Sequence, residues 1–166
     1  MISFPPTLIL RHRKENLKKC SLRGLENRKD CTFFSYPTAT LPPLSNYILL
    51  TPNASLLSSK DKVKGIFLID ATWRYATVMR RCLPSTSSLE YRSIPENIIT
   101  AYPRVQEEER GLASIEALFI AYLITERDTS GLLDSYYWKD LFLEKNNESI
   151  DFLLKSQVRL GIRNLI

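Results

Sequence analysis

Glycine is scarce in this chain of 166 residues, where Gly24, Gly65, Gly111, Gly131 and Gly161 are the five present. None of them stands where the patterns G-x-G-x-x-G or G-x-x-x-x-G-K need it, so a nucleotide cradled by either glycine-rich loop is excluded. Histidine is scarcer, with His12 alone, and the cysteines Cys20, Cys31 and Cys82 form no C-x-x-C pair. That spacing excludes a zinc finger or ribbon, and no metal is expected. An odd cysteine count suits reduced thiols in a reducing compartment. No apolar run approaches the roughly 18 residues that mark a membrane span. The first residues include Pro5 and Pro6 and lack the basic stretch that opens a secretory signal. The expected location is the cytoplasm, away from any membrane.

What is present describes one globular domain: 44% apolar residues, 25% charged, and 23 Lys and Arg against 18 Asp and Glu for a net charge of +5. At roughly 100–200 residues per domain there is little room for a second core. The charge is uneven. Arg11, Arg13, Lys14, Lys18, Lys19, Arg23, Arg28 and Lys29 face only Glu15 and Glu26 between positions 11 and 29, a surplus larger than that of the whole chain. Such a run is either a polyanion footprint or a solvated basic face with no partner. Arg74, Arg80 and Arg81 beside Trp73 and Tyr75 interleave cations with aromatics, which suits single-stranded RNA better than a membrane surface.

Residues 7–10, 47–50 and 66–69 are short apolar runs bounded by proline, basic residues or glycine, and they read as strands covered on both faces. Residues 98–101, ending at Pro103, read as a fourth. The stretch 31–45 holds Pro37, Pro42 and Pro43 and reads as loop, and 55–64 as a short helix that Ser58, Ser59 or Asp61 can cap. After the third strand, Trp73, Ala76, Thr77 and Arg80 recur at helical spacing, and Pro84 ends that helix before a Ser/Thr loop. Residues 112–124 form the strongest helix, apolar on most sides and therefore buried. The segments 132–142 and 149–155 complete a helical end. Strands alternating with helices predict an α/β architecture, with ligands beyond the carboxyl ends of the strands, at 70–73 and 101–103.

Several segments resemble, in order, the aminocarboxypropyltransferases of the ribosome-biogenesis Tsr3 type. They are Lys18, Lys19, Cys20 and Ser21; Leu49 to Pro52; Asp70, Ala71, Thr72 and Trp73; Thr100, Ala101, Tyr102 and Pro103; Leu112, Ala113 and Ser114 leading to Glu116 and Ala117; and the closing stretch through Trp138, Phe142 and Asn146. The family pattern runs KKCS or KKCT, LSP, DCSW, AANP, LSxxEA and a final LLxxFxW segment. Two departures stand out. After Pro103 the chain carries Glu107, Glu108 and Glu109 where the family has a glycine, and Ala113 replaces a serine, which removes one hydroxyl from the cofactor's reach.

The resemblance implies a SPOUT-like, knotted parallel-sheet α/β domain with helices on both faces. It implies a single compact unit over 46–166 that binds S-adenosyl-L-methionine, preceded by a small basic region, 1–45, touching RNA and cofactor. The implied reaction moves the 3-amino-3-carboxypropyl group to N3 of a uridine or pseudouridine in small-subunit rRNA, by a cytoplasmic monomer. The related DTW-domain proteins act on tRNA uridines, and Thr72 is DTW-like; the KKCS segment and Trp138 favour rRNA. Methyl transfer and a non-enzymatic assembly factor stay open. In the implied site Ser21, Ala71, Trp73, Ile98, Leu112, Ala113 and Ala117 hold the cofactor, Asp70 accepts the N3 proton, and Arg11, Arg13, Lys14, Lys18, Lys19 and Arg74 bind RNA. Structural alternatives stand beside these: Asp70 as an N-cap, Trp73 as a core aromatic, Ser21 as a helix cap, Cys82 as a small buried hydrophobe, and Glu116 paired with an arginine or capping a backbone turn.

Overall fold

The computed structural model describes residues 3–83, 88–103 and 111–159. Strands β1 (Thr7–His12), β2 (Cys31–Tyr36), β3 (Tyr47–Leu50), β4 (Gly65–Asp70) and β5 (Glu90–Arg92) form one all-parallel sheet in the order β2-β1-β4-β3-β5. Around it lie helices α1 (Trp73–Arg81), α2 (Ser114–Ile124), α3 (Lys139–Lys145) and α4 (Asn147–Arg159).

The apolar strands are covered on both sides, as their unbroken hydrophobicity requires. Leu8, Leu10, Leu49 and Phe67 gather on one face around Met79 of α1. Ile9, Ile48, Ile66 and Leu68 gather on the other with Leu118 and Ile120 of α2 and Phe142 of α3. Alternation along each strand sends neighbours to opposite faces, and each fully buried aliphatic or aromatic chain contributes about 1.5–3 kcal/mol. At the start of β4, Gly65 pairs in register with Tyr47, and a β-carbon there would overlap the tyrosine ring. The ring packs down on the backbone only because the glycine leaves room.

The three strands read from apolar runs are present, and the short helix over 55–64 is a 3-10 turn, Ser59–Val63, preceded by Ser58. Several readings need correction. Residues 31–36, read as loop, are β2; it is an edge strand in which only Cys31 is buried and the others are half-buried or exposed, so it lacks the apolar run of a central strand. The polar strand β5 carried no such signal. Residues 98–101 form no strand, because side chains take up their backbone groups, as shown below. Residues 132–138 are turns ahead of α3. The buried face of α1 is set by Met79 and the half-buried Tyr75, not by Trp73 and Thr77. The basic segment is part of the same sheet: β1 lies between β2 and β4, so a boundary at residue 45 cuts between β2 and β3. Pro84 and residues 104–110, with the carboxylate run, lie outside the described residues. Among the described residues no helix is long and apolar enough to cross a membrane.

Candidate functional site

At the carboxyl edge of the sheet, β1 and β4 place Arg11 and Asp70 side by side in register. Arg11 Nε donates to Asp70 Oδ2 at 2.8 Å and its Nη1 to Glu26 Oε1 at 2.9 Å, while the guanidinium lies 4.4 Å from the centre of the Phe33 ring. Cys20 donates its thiol proton to the same Asp70 oxygen at 3.1 Å. Burial, then the charge of Asp70, pushes the Cys20 pKa up to about 12, so the sulfur stays a neutral donor. For Arg11 burial opposes the cation, yet the bonds to Asp70 and Glu26 outweigh it and raise its pKa. Glu15 completes the group: one ligand-type atom each of Glu15, Cys20 and Asp70 lies within 4.8 Å of the others, with Arg11 donating to two of the three. Burial, followed by the Asp70 charge, raises the Glu15 carboxyl pKa. Breaking a buried charge pair of this kind costs about 3–5 kcal/mol.

Asp70 is not the cap of α1. The N-cap position is Thr72, and the Asp70 carboxylate is committed to Arg11 and Cys20 instead. Both contacts to described residues fall on Oδ2.

A second cluster holds the segment 98–103. Glu116, fully buried on α2, accepts from Thr100 Oγ1 at 2.7 Å, the Ala101 amide at 2.8 Å, the Ala113 amide at 2.8 Å and Tyr136 Oη at 2.9 Å. Among the described residues no arginine bonds Glu116; the carboxylate organises a backbone turn. Asn146 works from the other side: its Oδ1 accepts from the Ile99 amide at 2.7 Å and its Nδ2 donates to the Ile99 carbonyl at 2.8 Å. An apolar segment with its backbone satisfied this way has no need of a neighbouring strand. Ser21 Oγ accepts from the Ile115 amide at 3.3 Å, capping α2 from a loop 94 positions away. Accepting that bond leaves the hydroxyl proton to donate.

Next to these clusters opens a cavity of about 430 Å³. Cys20 and Ser21 lie on one wall with Lys18, Lys19 and Arg23, and Tyr102, Tyr136, Tyr137 and Trp138 form the other. The walls meet because Gly24, at φ +94°, turns the loop tightly against Ser135, where a β-carbon would collide with the serine side chain.

The predicted residues separate accordingly. Lys18, Lys19 and Ser21 line the cavity, and Asp70 touches it through Cys20. Ile98 and Ala113 are buried in the core and the half-buried Leu112 packs against it, on the α2 face. Ala117 is half-buried one turn into α2. Ala71 packs toward the opposite face of the sheet. Trp73 is 40% exposed on the first turn of α1, so it is not a core aromatic, and it does not line the cavity. Arg13, Lys14 and Arg74 are exposed. Arg11 leaves the expected RNA-binding set, because its guanidinium is held inside by Asp70 and Glu26. Cys82 is exposed rather than buried and accepts from Tyr36 Oη at 3.5 Å. Sequence reasoning passed over Glu15, Tyr137 and the anchoring role of Asn146. The last had a signal, the asparagine closing the final motif; the other two had none.

No family model matches the chain, and no curated protein matches it. Its fold is similar to a solved structure of the SAM-dependent rRNA:acp-transferase Tsr3 from Vulcanisaeta distributa, with a TM-score of 0.67 and 22% identity over 98% of this chain and 91% of that one. The likeness is one of fold.

Proposed function

We propose that the protein transfers the 3-amino-3-carboxypropyl group of S-adenosylmethionine to N3 of a uridine or pseudouridine in small-subunit rRNA, as a cytoplasmic monomer of the knotted SPOUT-like class. One observation carries this reading: motif segments far apart in the chain are tied to one another by direct hydrogen bonds. Cys20 bonds Asp70, Ser21 bonds the start of α2, Ala101 bonds Glu116, and Ile99 bonds Asn146. The first of these bonds lies at the carboxyl ends of β1 and β4, where open parallel sheets take ligands, and the others tie the remaining segments to one another. The fold shared with a SAM-dependent rRNA:acp-transferase supports the same reading.

The residues present suit the cofactor. Half-buried Leu112 and Ala117 offer apolar surface at the start of α2, which Ser21 caps with a hydroxyl that can still donate to a ribose or carboxylate oxygen, and partly exposed Trp73 offers an aromatic face three positions after Asp70. When bound, S-adenosylmethionine would supply a carbon activated by its sulfonium, with a neutral thioether as the leaving group. The protein's task is then to choose which carbon meets N3, a matter of position. As the new nitrogen–carbon bond forms, the N3 proton passes to Asp70 Oδ1, with Arg11 and Cys20 fixing the carboxylate through its other oxygen.

Incubation with S-adenosylmethionine and separated rRNA and tRNA, followed by nucleoside mass spectrometry, tests this. Uridine in rRNA gains the mass of an aminocarboxypropyl group, and both Asp70→Asn and Trp73→Ala lose most of that product while remaining folded. A gain confined to tRNA moves the substrate to tRNA, a methyl gain replaces the reaction, and no gain without cofactor binding overturns the transferase in favour of an RNA-binding assembly factor.

A further inference from the structure

We propose that the cavity between the 18–24 loop and the 132–138 turn binds single-stranded RNA, with the base of a nucleotide flanking the target stacked on Tyr137. The inference rests on the RNA-directed reading above and adds the residues that hold the strand. Tyr137 is 86% exposed, and its contact with Trp138, edge to face at 4.8 Å, fixes the ring without covering it. An aromatic ring left this bare contributes little to the core. Around it stand Lys18, Lys19 and Arg23, all exposed and none ion-paired with a described residue, while Asp134 at the same cavity pairs with Lys139 at 3.1 Å. Unpaired cations beside an open ring match a phosphate backbone carrying unstacked bases. A concave site of about 430 Å³ suits a nucleotide rather than a flat lipid surface.

The cavity also leads to the proposed chemistry. Cys20 lies on its wall, buried, and donates to Asp70. Tyr137 lines the same cavity with its ring open to solvent. A base on Tyr137 is therefore a neighbour of the reacting one, and its stacking positions the strand so that the target reaches Asp70. Tyr137 is accordingly a positioning residue.

The test is binding of a fluorescein-labelled ten-uridine RNA by anisotropy across a salt series, with S-adenosylmethionine affinity measured separately by calorimetry. Tyr137→Ala weakens RNA binding by about fivefold to a hundredfold at unchanged salt slope, and Tyr137→Phe restores it. Lys18→Ala and Lys19→Ala each flatten the slope by about 0.7. Cofactor affinity stays the same in all four variants. Unchanged RNA affinity in Tyr137→Ala overturns the proposal. So does a loss of cofactor affinity there, which would give the cavity to S-adenosylmethionine, and so does a wild-type protein that binds phosphatidylserine vesicles but not the RNA. Tyr137-dependent RNA binding with neither a nucleoside mass gain nor cofactor binding would instead support this surface and overturn the transferase reading alone.

Discussion

Two largely buried arginines, Arg11 and Arg127, sit at opposite ends of the central strands and are satisfied in opposite ways. Arg127 lies near the amino ends, donates to the carbonyls of Pro5 and Lys64, and lies 4.7 Å over the Phe4 ring and 5.8 Å over that of Tyr122. No carboxylate of the described residues pairs with it, and burial lowers its pKa. Its acceptors are backbone, so its work is to fasten the first residues to the start of β4. Arg11, at the carboxyl ends, holds two carboxylates and a thiol sulfur, all of them side chains. A guanidinium bonded to main chain fixes the fold; one bonded to reactive side chains fixes a site. Four other charges toward the amino ends, Asp61, Lys64, Glu90 and Arg92, likewise close on one another in one ion-pair network.

That contrast can be broken by substitution. Among substitutions at the two arginines and Glu15, the largest effect on stability is expected from Arg127→Ala, which removes two charge-assisted bonds and lowers the unfolding free energy in urea by roughly 2–4 kcal/mol with cofactor affinity unchanged. A loss of cofactor binding without a loss of stability would erase the distinction. Arg11→Lys keeps the charge but not the planar fork that serves Asp70, Glu26 and Cys20 together, so it costs about 1–2 kcal/mol and cuts product formation at least tenfold, on the order of the 1.4 kcal/mol that one factor of ten represents. The smallest effect belongs to Glu15. Its folded-state pKa is raised, so its contribution is most favourable below the unfolded value and is lost as pH rises through the folded one. Glu15→Gln therefore raises the melting temperature by roughly 1–3 °C at neutral pH and leaves it unchanged below about pH 4.

The central layer of the sheet was legible because Leu8, Ile9, Leu10 and Ile66, Phe67, Leu68 are buried on both faces and leave unbroken apolar runs. Edge strands β2 and β5 were not, since one side of each lies open and tolerates Thr32, Ser35 or Glu90. Residues 98–101 misled for the reverse reason. They are as apolar as a strand, but the groups that decide their conformation, Glu116 and Asn146, stand 15 and 47 positions away from Ala101 and Ile99 respectively. Likewise Asp70 after a strand looks like a cap until Arg11 claims it from a strand 59 positions earlier. Local pattern carries local structure; the site is made of long-range side-chain bonds that only the fold brings together.

The pairing of β1 with β4 also bears on how the chain is made. Leu10 has Ile69 as its register partner, so the first strand cannot complete its ladder until some 60 further residues have left the ribosome. At roughly 5–20 residues per second this takes several seconds, during which Leu8, Ile9 and Leu10 have β2 for a neighbour but not β4. Newly made chains of this protein thus pass through a period with an unfinished apolar strand at the front. Synthesis past Asp70 is the event that shelters it.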